Sequence, residues 1–114
     1  MLNGQPDGPI EPLGPAAVFA ALGDPTRLSL VGKLSRGMPL SIARLAEGTA
    51  LTRQAVTKHL HVLEGAGVVG RERSGRESLY RLEPASIVEM RAYLDRISQQ
   101  WDDVLARLKT FVEK

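Results

Sequence analysis

No cysteine occurs anywhere in this 114-residue chain. That absence excludes disulfides, thiolate metal centres and thiol sensors, and fits a reducing cytoplasm as the expected location. No apolar run approaches the ~20 residues needed to cross a membrane, and the N-terminus lacks the basic-then-apolar pattern of a secretion signal. The sequence also lacks a nucleophile–base arrangement, a phosphate-cradling glycine loop and a cluster of metal ligands. So short a chain leaves little room for a shielded catalytic cleft. An enzyme is therefore not expected, and neither is a cofactor or a bound metal.

What is present is ordinary in bulk and uneven in detail. Apolar content of 43% and charged content of 25% suit a globular protein of one small domain. The net charge of +2 says little by itself, but its distribution says more. Residues 52–82 hold Arg53, Lys58, Arg71, Arg73, Arg76 and Arg81 against Glu64, Glu72 and Glu77. The segments on either side are balanced or slightly acidic. The positive excess thus lies in the middle of the chain, where a polyanion would dock.

In chain order, residues 1–14 are dense in glycine and proline and read as a flexible N-terminal arm ahead of a domain over 15–114. Pro15 can open a short helix through Leu22, and Asp24-Pro25 is a second helix start. Leu28, Val31, Gly32 and Leu34 then form a helical apolar stripe ending near Arg36-Gly37. A third helix, about Ser41 to Glu47, turns Ile42, Leu45 and Ala46 inward, and Gly48 closes it. Thr52 follows as the N-cap of a fourth helix over 52–66, whose Val56, His59, Leu60 and Leu63 share one side. Gln54, Thr57, Lys58 and His61 occupy the other, with Arg53 on the flank. Two helices joined by a tight glycine-containing turn, the second polar outside, form a helix-turn-helix.

The outward face is rich in donors and holds one acid, Glu64. In a major groove Gln can pair with adenine, Lys with guanine, and Thr with either base or with a thymine methyl. Thr52 and Arg53, at the positive helix end, suit phosphates or the first base. After Gly67 the period changes. Val68–Arg73 and Ser78–Leu82 alternate around Ser74-Gly75-Arg76-Glu77, which makes a β-hairpin and a basic wing over 70–81. Arg73 and Arg76 on it are expected to meet backbone phosphates or a minor groove. The predicted fold is mainly α with a small β-hairpin, a winged helix-turn-helix.

The last segment, about 84–113, is predicted as one long helix begun by Pro84, with Ser86-x-x-Glu89 as a capping box. Ile87, Met90, Leu94, Ile97, Trp101, Val104, Leu108 and Phe111 recur at spacings of three and four. Such a heptad stripe favours a coiled-coil-like seam, and at ~1.5 Å per residue the helix would reach ~40 Å. A dimerisation helix is expected, assisted by Phe19 within Ala16–Leu22, because Trp101 and Phe111 would otherwise be exposed.

Ala21–Leu28 (Ala-Leu-Gly-Asp-Pro-Thr-Arg-Leu), Leu45-Ala46-Glu47, Ala55–Leu60 (Ala-Val-Thr-Lys-His-Leu), Val62-Leu63 and Ala66–Val69 (Ala-Gly-Val-Val) together resemble the ArsR family. The likeness runs from about Val18 to Leu82, with a looser fit through the last helix. It implies a bacterial winged-helix repressor that binds double-stranded DNA as a homodimer. The long Trp-containing last helix resembles the subgroup whose genes neighbour START-like (SRPBCC) proteins. Ser41 and Ala43 stand where thiolate-sensing members carry a Cys-x-Cys pair, and the last helix has no histidine, so metal sensing does not carry over. His59 and His61, two apart on a helix, do not converge on one ion. His59 is expected to be packed and His61 to face the groove.

The expected function is a sequence-specific transcriptional regulator, a repressor, reading a pseudo-palindrome with helices about one DNA turn apart. The alternative is a winged helix used only for protein–protein contact, which the polar outward face and arginine-bearing wing disfavour. The sequence names neither an effector ligand nor an operator.

Overall fold

A computed structural model describes residues 14–113, so the arm expected over 1–14 lies outside the described residues but for Gly14. The element order is α1 (Pro15–Leu22), α2 (Pro25–Leu34), β1 (Leu40–Ser41), α3 (Ile42–Ala46), α4 (Arg53–Gly65), β2 (Val69–Ser74), β3 (Glu77–Leu82) and α5 (Pro84–Val112). Helix starts follow from local chemistry. Proline occupies the first turn of α1, α2 and α5, where its missing N–H costs nothing. Side-chain oxygens cap three helices, each accepting a backbone N–H three residues on. These are Asp24 from Arg27 at 3.0 Å, Ser41 from Arg44 at 3.2 Å and Thr52 from Ala55 at 3.0 Å.

One apolar cluster joins these elements. Val56, Leu60 and Leu63 of α4 lie at its centre, fully buried, with Val18, Leu30, Leu34, Leu45, Val68, Val69 and Tyr80 around them. The expected inward face of α4 is therefore the buried one. In α2 the stripe is turned relative to the sequence expectation. Leu30 and Leu34 are buried and Val31 is half-buried, while Leu28 is 55% exposed and Gly32 is exposed. Both registers space apolar residues at helical intervals, and the docking of α2 against α4 and β3 selects Leu30 and Leu34.

The sheet has three strands, not two. β1 pairs antiparallel with β3, Leu40 opposite Tyr80 and Ser41 opposite Leu79, giving the order β1-β3-β2. A two-residue strand carries no alternation that a sequence could display. Within the hairpin the register runs from Val69–Leu82 to Ser74–Glu77, so the turn is Gly75-Arg76 alone. Gly75 takes φ of +63°, a conformation that β-carbon-bearing residues rarely adopt.

α5 spans 29 residues and is unbroken. Its first half packs on α1, with Phe19 and Tyr93 rings 5.6 Å apart and tilted by 52°. The capping box does not form. Glu83 is the N-cap residue, no side chain caps the helix, and the Ser86 hydroxyl is buried without a partner. Proline at 84 starts the helix two residues before Ser86, which places Ser86 inside the first turn.

Candidate nucleic-acid interface

α4 is held from behind by the turn after α1 and the first turn of α2. The Arg27 guanidinium donates from Nε to the Ala21 carbonyl at 2.6 Å, satisfying the end of α1. Its Nη1 donates to His59 Nδ1 at 3.4 Å; a guanidinium has no acceptor, so Nδ1 must accept. Asp24 Oδ2 stands 3.9 Å from the same ring nitrogen, too far for a hydrogen bond. The Arg27 amide holds the Asp24 carboxyl below its ordinary value of 3.8, and the Arg27 charge acts in the same direction against the opposing effect of desolvation. Asp24, Arg27 and His59 thus join three helices, and His59 is the packed histidine that the sequence suggested.

The turn before α4 is fixed in the same manner. Lys33 Nζ donates to the carbonyls of Leu45 at 2.9 Å and Glu47 at 3.0 Å, tying α2 to the end of α3. Thr49 Oγ1 donates to Ala46 O at 2.7 Å and accepts from Leu51 N at 3.2 Å. Gly48, with φ of +75°, reverses the chain. The sequence does not display the positioning roles of Arg27 and Lys33, because their partners are carbonyls near helix ends and the distant His59 ring, which no local side-chain pattern marks.

With α4 so held, Arg53, Gln54, Thr57, Lys58 and His61 line one open groove, and Ile42 of α3 forms its apolar wall. All four residues expected to face a DNA groove therefore share one surface, and Arg53 joins them. Ile42, expected to point inward, is half-buried and serves both sides. Gln54, Lys58, His61 and Arg53 are exposed, and among the described residues none of them is in an ion pair. Thr57 is half-buried, and its hydroxyl donates to the Arg53 carbonyl at 2.8 Å. In that rotamer it offers its methyl and an acceptor lone pair, not a donor. Thr52 differs: its oxygen accepts the Ala55 amide, so its O–H stays free to donate outward.

The wing adds a second cationic surface. Arg73 and Arg76 are exposed, Arg76 within the two-residue tip and Arg73 just before it. Arg71 and Arg81 are employed within the fold, Arg71 Nε lying 3.6 Å from Glu64 of α4 and Arg81 Nη2 lying 3.9 Å from Glu83. The Arg71–Glu64 contact ties the wing to the end of α4. Both side chains are partly solvated, so its worth is geometric more than energetic.

Along α5, Ile87, Leu94, Trp101, Leu108 and Phe111 are exposed, Trp101 at 61% and Phe111 at 77%. Met90, Ile97 and Val104 are half-buried, and Phe19 is partly covered by Tyr93. Leu105 and Val112, also exposed, widen the stripe beyond Trp101. Each lies four residues after a stripe member and so on nearly the same side, an addition the strict heptad spacing leaves out. Among the described residues no group of three or more His, Asp or Glu side chains could hold a metal ion, and no helix is long and apolar enough to cross a membrane.

Helices α3 and α4, the three-stranded sheet and its hairpin define a winged helix-turn-helix protein. Residues 22–71 match the family of helix-turn-helix domains. The chain is 37% identical over 82 residues to the HTH-type transcriptional regulator Rv2034 of Mycobacterium tuberculosis, covering 72% of this chain and 76% of that protein. It is 34% identical over 88 residues to the HTH-type transcriptional repressor SmtB of the same species, covering 77% of this chain and 63% of the other. An ArsR-like transcriptional regulator from Rhodococcus sp. RHA1 superposes with a TM-score of 0.73 at 38% identity, over 85% of this chain and 91% of that one. The chain belongs to the ArsR family of winged helix-turn-helix transcriptional regulators, a family of regulators and not of enzymes.

Proposed function

We propose that the protein is a homodimeric repressor of transcription that reads a pseudo-palindromic operator with α4 and steadies itself with the wing. The observation that carries this is the groove in which Arg53, Gln54, Thr57, Lys58 and His61 converge. Gln54 and Lys58 read base edges, by bidentate amide contact to adenine and donation to guanine O6 and N7. His61 donates or accepts at the far end of the helix. Thr57 offers its methyl to thymine. Thr52 and Arg53, at the positive end of the α4 dipole, hold phosphate. Arg73 and Arg76 follow the backbone or enter a minor groove.

Homodimerisation is supported by the uncovered apolar stripe of α5. So much contiguous apolar surface is uncommon on a monomer, and a two-fold pairing of α5 with help from Phe19 would cover it. Such a dimer presents two α4 helices related by symmetry, which is why the operator should be palindromic. The repressor role is supported by likeness to SmtB, named a repressor. A chain that acts on DNA in this way works in the cytoplasm.

Selection of bound sequences from a random DNA pool with the purified protein tests all of this together. Enrichment of a symmetric motif with half-sites about one helical turn apart is expected. Failure to enrich any sequence, with binding to protein partners intact, would favour a winged helix devoted to protein contact.

A further inference from the structure

The groove in front of α4 encloses about 740 Å³, and five of the six side chains that line it are polar or charged. The sixth is Ile42, which comes from α3 and is half-buried. A single partly exposed apolar residue is ordinary on a protein surface, so what matters is how Ile42 is held and what stands beside it. Ile42 is the first residue of α3. Directly before it, Ser41 pairs across the sheet with Leu79 and caps the helix by accepting the Arg44 amide at 3.2 Å. Lys33 holds the other end of α3 by donating to the Leu45 and Glu47 carbonyls at 2.9 and 3.0 Å. Part of the Ile42 side chain packs on the core, and its branched β-carbon restricts its rotamers. The part left uncovered is therefore presented to the groove in a fixed place.

Thr57 lines the same groove and is also half-buried. Its hydroxyl donates back to the Arg53 carbonyl at 2.8 Å, so that proton is engaged and the methyl remains as an apolar contact. Gln54, Lys58 and His61 line the groove with these two and supply donors and acceptors suited to base edges. An apolar element set among polar readers matches one feature of the major-groove edge, the methyl on C5 of thymine. Cytosine presents a methyl at the same place only when it is 5-methylated.

We propose that Ile42, together with the Thr57 methyl, reads a C5-methyl group at one position of each half-site, so that a methyl strengthens binding there on thymine and on cytosine alike. This rests on α4 entering the major groove, and it adds a reader that lies outside α4. It also makes the protein sensitive to cytosine methylation of its site.

The test uses the operator that selection yields, with each thymine replaced in turn by deoxyuridine, which removes the methyl and keeps every other group. At the responsive position, cytosine and 5-methylcytosine are then compared opposite guanine. Burying one methyl is worth a factor of about four, so one thymine per half-site should show roughly that loss, and 5-methylcytosine should bind about fourfold tighter than cytosine. In Ile42→Ala the thymine-to-deoxyuridine affinity ratio should fall to about two or less, and in Ile42→Ala combined with Thr57→Ser to about one. Each ratio compares two DNAs on one protein, so partial unfolding of a variant cancels and cannot imitate the result. The proposal is overturned if no thymine of the half-site shows a methyl effect, if 5-methylcytosine binds no better than cytosine, or if Ile42→Ala keeps the full ratio. Altered base preference in Gln54→Ala with no methyl effect anywhere leaves the reading of α4 standing and sinks this inference alone; a pool from which no sequence is enriched overturns both.

Discussion

Replacing Trp101 by alanine separates assembly from folding. Trp101 is 61% exposed in the single chain; of the ~250 Å² that a Trp can bury, about 150 Å² awaits a partner. At ~25 cal/mol per Å², complete covering is worth about 4 kcal/mol per copy, and a two-fold dimer contains two copies. Incomplete covering and the cost of ordering reduce this, so a fall of about 3–6 kcal/mol in dimer stability is expected. That raises the dimer dissociation constant by roughly 10²–10⁴. The single chain gives up at most the share it already covers, ~100 Å² or about 2 kcal/mol. Leu60→Ala is the contrasting control. Leu60 is fully buried in the core, and its truncation should cost about 2–5 kcal/mol of folding stability. Sedimentation equilibrium over nanomolar to micromolar concentrations, with circular dichroism on the same samples, reads both effects. A Trp101→Ala protein that stays helical and dimerises like the parent would refute the assignment of α5, as would a monomeric parent at micromolar concentration.

Asp24, whose carboxyl is held below 3.8, contributes stability that is fully present above that value. The contribution disappears as pH falls from there through the lowered folded value, and Asp24→Asn should flatten this acid limb in pH-dependent unfolding. Arg76→Ala should weaken cognate and random DNA alike and reduce the salt slope by about 0.9 for each phosphate that the guanidinium no longer neutralises, read by competition at several salt concentrations. Zinc, cadmium or arsenite at non-denaturing levels should leave operator affinity unchanged, since Ser41 and Ala43 offer no thiolate; a submicromolar metal site coupled to DNA release would contradict this.

Much of the molecule was legible because its signals are local. Asp24-Pro25, Thr52 and the α4 face each announce themselves within one or two helical turns. The features that escaped depend on residues distant in sequence. β1 exists only because Leu40 and Ser41 lie against Leu79 and Tyr80. Leu30 and Leu34, not Leu28, face inward because of where α2 docks. Thr57 looked like a free hydroxyl until its rotamer gave the proton to Arg53 O. Ser86 matched a capping motif, yet the helix begins before it and leaves the hydroxyl buried. The convergence of Gln54, Lys58 and His61 was readable from periodicity alone, whereas the Arg27 and Lys33 hydrogen bonds that orient the face were not.

The most direct test of the central claim is the affinity of Gln54→Ala and Lys58→Ala for the operator that selection yields, measured beside random DNA. Each substitution should cost ~1–3 kcal/mol on the operator and relax preference at particular base positions, with little change on random sequence for Gln54→Ala. If both variants bind the operator with unchanged affinity and unchanged preference, α4 is not the element that reads the DNA.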